Sequence, residues 1–362
     1  MIAIIGAGPT GCYLASLLAQ EFEDVHVFEE HASAGRPVQC AGIVTQEIFR
    51  YAPRKNNFVK NKTDKVRIHA PNGKSLSLKL EKPDIIIDRE TFDNYFYKLA
   101  KKKGVRFYFN HRLISAGKKE IKVKNLKTNK TKKIKYKILI GADGPRSTVA
   151  RTSGTSRKKD FFIGLQAVIK KKNNNTIDFY PSTQGFGWAV PEDKNALRVG
   201  FASQTNPEKG FNDLLRKYKG KIIQRQAGLI PLFNPWKDFE NNRIFLIGDA
   251  AGFVKATTGG GLVTGLKSAE ILAHSLKNNL SYKAGIYLHL YSSLWLNLKM
   301  RELMNSLTKQ EWNWLIKELQ KKESRDALQN INRDKLFRLL TSTIIHNPRI
   351  IKPGLRHLRS LL

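Results

Sequence analysis

Apolar runs too short for helices recur along the chain. Ile2 to Ile5 predicts a buried strand, and Thr10 to Gln20 predicts a helix with Leu14, Leu17 and Leu18 on one side. Val25-His26-Val27-Phe28-Glu29 predicts a second strand, completing a βαβ opening of the dinucleotide-binding type. Val66 to Leu80 alternates apolar and polar residues about Pro71-Asn72-Gly73, which predicts a hairpin. Asp88 to Lys103 predicts a helix, with Phe92, Tyr95, Phe96 and Leu99 at three- and four-residue spacing, and Val105 to Phe109 a strand. Ile138 to Gly144 ends a buried strand in a tight turn. Phe161 to Lys170, Thr176 to Tyr180, Phe186 to Val190 and Leu197 to Ala202 alternate as strands of a sheet, read as a substrate-facing domain. Arg243 to Ile247 returns to a buried strand, and Thr264 to Leu276 is helical. From Tyr287 onward the pattern is helical and basic, with Trp312, Leu315, Ile316 and Leu319 on one stripe. Near the end, Leu355, Leu358 and Leu362 lie beside Arg356 and Arg359.

Composition adds bounds to this picture. The chain has 362 residues, 41% of them hydrophobic, enough for a sizeable core and about two domains. Its two cysteines, Cys12 and Cys40, supply neither a disulfide framework nor a metal cluster, which suits a reducing cytoplasm. The apolar start lacks a basic leader, and its glycines fall at fingerprint spacing, so a signal peptide is disfavoured. No apolar stretch is long enough to span a bilayer. The net charge of +34, from 64 basic and 30 acidic residues, points either to a negative partner or to a lysine-rich proteome. Lys118 to Lys137 holds ten lysines but only Tyr136 among aromatics. That pattern fits a solvated hairpin face better than a nucleic-acid groove.

Two glycine-rich segments carry the chemistry. Gly6, Gly8 and Gly11 form G-x-G-x-x-G between a strand and a helix, which permits a tight turn, approach of a pyrophosphate to the backbone and close helix–strand packing. Glu29 ends the next strand, where a carboxylate can accept ribose hydroxyls; Glu30 is its neighbour, but the alternation favours Glu29. This motif alone does not separate NAD from FAD. The second segment, Gly248-Asp249-Ala250-Ala251-Gly252 followed by Gly259-Gly260-Gly261-Leu262, does. A carboxylate at Asp249 suits the ribityl or pyrophosphate part of an extended FAD, and a helix beginning at Leu262 can face the flavin pyrimidine edge.

Gly6 to Gly11, Glu29, Gly141-Ala142-Asp143-Gly144-Pro145-Arg146-Ser147 and Gly248-Asp249 resemble the FAD-dependent hydroxylase superfamily. Within it, Gly35-Arg36-Pro37-Val38-Gln39-Cys40-Ala41-Gly42-Ile43-Val44 resembles the archaeal geranylgeranyl reductases, as does the segment Gly185 to Pro191. Phe186 and Val190 depart from the tyrosine and phenylalanine common there. The resemblance covers roughly residues 1–270. It implies an α/β fold: a Rossmann-like FAD-binding domain of the glutathione-reductase type (residues 1–65, 88–155 and 243–286), an inserted antiparallel sheet for substrate (66–87 and 156–242) and a basic helical C-terminal region (287–362). It further implies FAD contacts at Gly6, Gly8, Thr10, Gly11, Glu29, Cys40, Ala41, Ile43, Arg89, Leu113, Asp249, Gly261 and Leu262, and a lipid pocket at Phe186, Trp188 and Pro191. Cys40 is the candidate catalytic residue, set against a reading as a small hydrophobe packed on the cofactor. The implied activity is saturation of isoprenoid C=C bonds in membrane lipids. An external donor (ferredoxin, a deazaflavin or NAD(P)H) would supply electrons, and the protein would sit in the cytoplasm, peripheral on the anionic inner membrane face. The alternative is an aromatic or polyketide monooxygenase of the same fold.

Overall fold

The computed structural model describes all residues except 56, 153, 155–159, 184, 331–335 and 357–362. The expected terminal Leu358, Arg359 and Leu362 therefore lie outside the described residues. The chain forms two compact units: residues 1–38, 89–160 and 230–294, and residues 39–88, 161–229 and 295–362.

In the first unit, every residue of Ile2–Ile5, Val25–Phe28 and Ile244–Leu246 is apolar except His26, as sheet centres buried on both faces require. The six strands run in the order Glu240–Asn241, Ile244–Leu246, Ile138–Gly141, Ile2–Ile5, Val25–Phe28, Arg106–Tyr108. All pair in parallel except the first, which is antiparallel to its neighbour. Helix Pro9–Leu18 packs against helices Arg89–Lys102 and Leu262–Asn278. The first of these contacts is built from Tyr13 and the buried Phe96, whose rings meet edge to face at 5.4 Å. Strands His111–Ala116, Glu120–Asn125 and Thr131–Lys135 make a separate antiparallel meander. There Ile121 and Val123 are buried while Lys122 is exposed, the solvated-face pattern expected of the lysine run.

The second unit holds an eight-stranded sheet in the order Lys221–Pro231, Phe161–Lys170, Ala196–Ser203, Gly185–Asp193, Thr176–Ser182, Val59–His69, Ser75–Ile87, Ile43–Val44. The expected hairpin is longer than its alternating core, running over Val59–His69 and Ser75–Ile87 about the Pro71-Asn72-Gly73 turn. One face carries Ala167, Ile169, Ala189, Leu197 and Val199, and helix Glu208–Tyr218 covers it with Phe211 and Leu214. Burying each of the larger side chains, Ile169, Leu197, Val199, Phe211 and Leu214, contributes about 1.5–3 kcal/mol. The opposite face carries Phe162, Gln166, Trp188, Arg198 and Gly200, because cross-strand partners share a face. Helix Lys309–Leu319 opens with a capping box between Thr308 and Glu311, buries Trp312 and Ile316, and half-buries Leu315 and Leu319, the expected stripe.

Candidate active site

The two glycine segments meet within the first unit. Gly6 has φ of +105°, and a Cβ there would stand 2.4 Å from the Ala142 carbonyl oxygen. Only glycine allows that turn and that approach of two strand ends. A Cβ on Gly8 would meet no atom within 4 Å, and Gly8 starts helix Pro9–Leu18 with no side-chain cap. The start of that helix thus has no side-chain cap and has room beside Gly8, as an anion site requires. Thr10 bridges the segments: Cβ atoms on Gly248 and Gly265 would stand 3.2 and 2.6 Å from its Oγ1. A Cβ on Gly261 would stand 2.8 Å from Asp249 Oδ1, so that glycine admits the carboxylate beside the start of helix Leu262–Asn278.

Glu29 is buried at the end of Val25–Phe28. Its Oε2 accepts from the Ala7 amide at 2.7 Å; its Oε1 accepts from the His31 amide at 2.9 Å and meets His31 Nδ1 at 2.6 Å. Burial pushes the Glu29 carboxyl up, but the His31 ring and the two amides outweigh it and hold the group below the ordinary glutamate value. The His31 ring is raised in turn by its bond to Glu29. Asp143 caps helix Thr148–Thr152, its Oδ2 accepting from the Thr148 and Val149 amides at 2.6 and 3.1 Å. Its Oδ1 is buried without a hydrogen-bond partner among the described residues, and burial pushes the carboxyl above the ordinary aspartate value. Arg89 is turned onto its own helix, its Nε and Nη2 donating to Asp93 Oδ1 and Oδ2 at 3.0 and 2.9 Å. Leu113 is buried in the meander opposite Val123.

In the second unit, Cys40, Ala41 and Gly42 make a tight turn, with the Gly42 amide donating to Cys40 Sγ at 3.3 Å. Ile43 opens the short strand Ile43–Val44. Arg198 holds the turn: Nη1 donates to the Ala41 carbonyl at 2.9 Å, while Nε and Nη2 each reach Glu192 at 3.1 Å. Phe186 and Trp188 share one face, their rings 5.8 Å apart, with Phe162 edge-on to Phe186 at 5.4 Å. The buried Arg301 lies over Phe162 and Phe186 at 5.4 and 5.1 Å. Desolvation lowers its pKa to about 10, so its guanidinium stays charged at neutral pH. Alternation puts Pro191 opposite Leu197 on the helix-covered face, so the structure does not bring it together with Phe186 and Trp188. Cys12 is fully buried and its thiol pushed well up by desolvation, which leaves it inert. Arg198, Arg301 and Gln166 carried no sequence signal; strand pairing brings Arg198 and Gln166 to the aromatic face, and helix Ser292–Ser306 carries Arg301 onto Phe162 and Phe186.

The family model described as FAD binding domain matches residues 1–186. The chain belongs to that family. FAD is its cofactor, and the site fits the group. Open space at Gly8, the uncapped helix and the unpartnered Asp143 Oδ1 are places for a bound ligand's phosphate and hydroxyl groups. The protein is 28% identical to digeranylgeranylglycerophospholipid reductase 3 of Methanosphaera stadtmanae, over 76% of this chain and 78% of that one. It is 24% identical to digeranylgeranylglycerophospholipid reductase of Methanocella arvoryzae, over 97% of both. Its fold matches that of a geranylgeranyl bacteriochlorophyll reductase-like protein from Thermoplasma acidophilum with a TM-score of 0.85, at 21% identity over 100% of this chain and 98% of that one.

Proposed function

We propose that this protein is an FAD-dependent reductase that saturates C=C bonds of geranylgeranyl chains in membrane lipids or their precursors. The observation that carries this reading is the reductases' likeness over most of the chain. A thiol-bearing turn anchored to the sheet that presents Phe186 and Trp188 agrees with it. Gly6, Gly8, Thr10, Gly11 and Glu29 hold the adenosine and pyrophosphate part of the cofactor. Asp249, Gly261 and Leu262 serve its flavin end, and Cys40, Ala41, Ile43, Arg89 and Leu113 are further contacts. Bound FAD, once reduced, supplies hydride. Phe186 and Trp188 orient an apolar chain and keep water from it. An isolated alkene accepts hydride poorly, so a proton must reach the other carbon as hydride arrives. Cys40 Sγ is the group that holds that proton; Cys40→Ala is expected to lower turnover while FAD stays bound.

An external donor (ferredoxin, a deazaflavin or NAD(P)H) restores the electrons. Among the described residues no helix is long and apolar enough to cross a membrane. The protein meets its lipid peripherally, on the anionic inner face. Helix Leu336–His346 suits that contact, with Phe337 and Ile345 exposed in a chain of net charge +34. The deciding experiment incubates chemically reduced holoprotein with a geranylgeranyl lipid under anaerobic conditions. Mass spectrometry should find a gain of two hydrogens per bond. In a parallel aerobic incubation, an oxygen-dependent gain of one oxygen atom with no anaerobic saturation would establish the monooxygenase alternative.

A further inference from the structure

Gln166 lies at the centre of the aromatic face and is 5% exposed. It pairs across strands with Gly200, which pairs with Trp188 on the next strand. A Cβ on Gly200 would fall 2.4 Å from Trp188 Cζ2, so this glycine lets the indole lie across the intervening strand. The indole Nε1 thereby donates to Gln166 Oε1 at 2.8 Å. An indole N–H only donates, so the Gln166 oxygen must face it. That fixes the other end: Nε2 donates to Gln226 Oε1 at 2.5 Å and, in a longer contact, to the Cys40 carbonyl at 3.4 Å. A flipped amide would set donor against donor at Trp188 and oxygen against oxygen at Cys40. The backbone before Cys40 is drawn to the same place, since a Cβ on Gly228 would stand 3.2 Å from Gln39 Cβ.

We propose that Gln166 is a positioning residue that sets the Cys40 turn in register with the Trp188 wall. Arg198 ties the neighbouring Ala41 carbonyl to Glu192; Gln166 ties the Cys40 carbonyl to the Trp188 indole. Movement of the indole is thus transmitted to the thiol-bearing turn through one amide. The mechanistic use of this coupling rests on the reductase reading, in which Cys40 and Trp188 flank the substrate chain. The coupling itself does not.

The test measures alkylation of Cys40 by iodoacetamide in the FAD-loaded protein without substrate, read by peptide mass spectrometry. Cys12, fully buried, serves as the silent control. Gln166→Met keeps the shape and removes every bond of the amide; alkylation should rise roughly tenfold, as for loss of one buried hydrogen bond. Trp188→Phe should raise the rate in the parent protein and add nothing on top of Gln166→Met. Gln166→Glu keeps an acceptor for Trp188 but turns oxygen toward Cys40. It should raise alkylation while leaving the Trp188 indole band in the ultraviolet resonance Raman difference spectrum unmoved. Should the methionine variant unfold, the glutamate variant carries the test. Rates within twofold of the parent in the folded variants, or additive effects of Trp188→Phe and Gln166→Met, overturn the proposal. If the cycle holds while no lipid is saturated, the reductase reading fails and the coupling stands.

Discussion

At the residue scale, the pair Glu29 and His31 makes the nucleotide end of the site sensitive to pH. Glu29 is held below its ordinary value, so its contribution to folding is present above the ordinary glutamate range and lost as pH falls through the lowered value. His31 is raised, so its contribution is present below the ordinary histidine range and lost as pH rises through the raised value. The pair therefore supports the fold most at about pH 5 to 6, between the two ordinary values. The His31 side chain is 46% exposed, so screening keeps the effect small. Urea midpoints of the parent and of His31→Ala should differ most in that window and converge toward alkaline pH; a difference that grows above pH 8 would contradict this. Glu29→Gln removes the charge from a carboxylate that organises the Ala7 amide. Losing a charge-assisted bond of about 1.5–3 kcal/mol should weaken FAD binding roughly 10- to 150-fold, measured by flavin fluorescence titration. Glu29 was legible in the sequence from its place after the glycine motif. Its partner His31 was not, because a residue two positions beyond a strand has no periodic signature.

At the scale of elements, the parallel strands and their helices were readable because burial on both faces leaves unbroken apolar runs. Helix Glu208–Tyr218 was missed, although Phe211, Leu214, Leu215 and Tyr218 stand at three- and four-residue spacing and pack on the sheet; the stripe is short and includes Gly210, a weak helix former. Its glycine has a packing reason, since a Cβ on Gly210 would stand 2.7 Å from the Phe201 ring. That helix covers one face of the eight-stranded sheet, so Phe211→Ala should cost about 3–5 kcal/mol in urea denaturation. A loss below about 1 kcal/mol would mean that the helix does not seal this face. Gly6→Ala meets both a positive φ and the Ala142 carbonyl. The variant should lose FAD on gel filtration, whereas Gly8→Ala, with open space around its Cβ in the protein alone, should still fold.

At the scale of the whole molecule, charge dominates. Each basic residue near an anionic bilayer contributes about 1 kcal/mol. Co-sedimentation with vesicles should rise with anionic lipid and fall between low and physiological salt. Equal binding to neutral vesicles would instead assign it to exposed apolar residues such as Phe337 and Ile345 of helix Leu336–His346. The sequence by itself determined the cofactor class, the βαβ opening, the paired glycine segments and the thiol at Cys40. These rest on local rules, because turn geometry, strand burial and helix starts are written within a few neighbouring residues. Tertiary structure decided which side chains share a face. It stacked Arg301 over Phe162 and Phe186 and joined Trp188 to Cys40 through Gln166. The physical reason is that strand register and crossing chain segments bring together residues more than a hundred positions apart, and no local pattern in the sequence records those meetings.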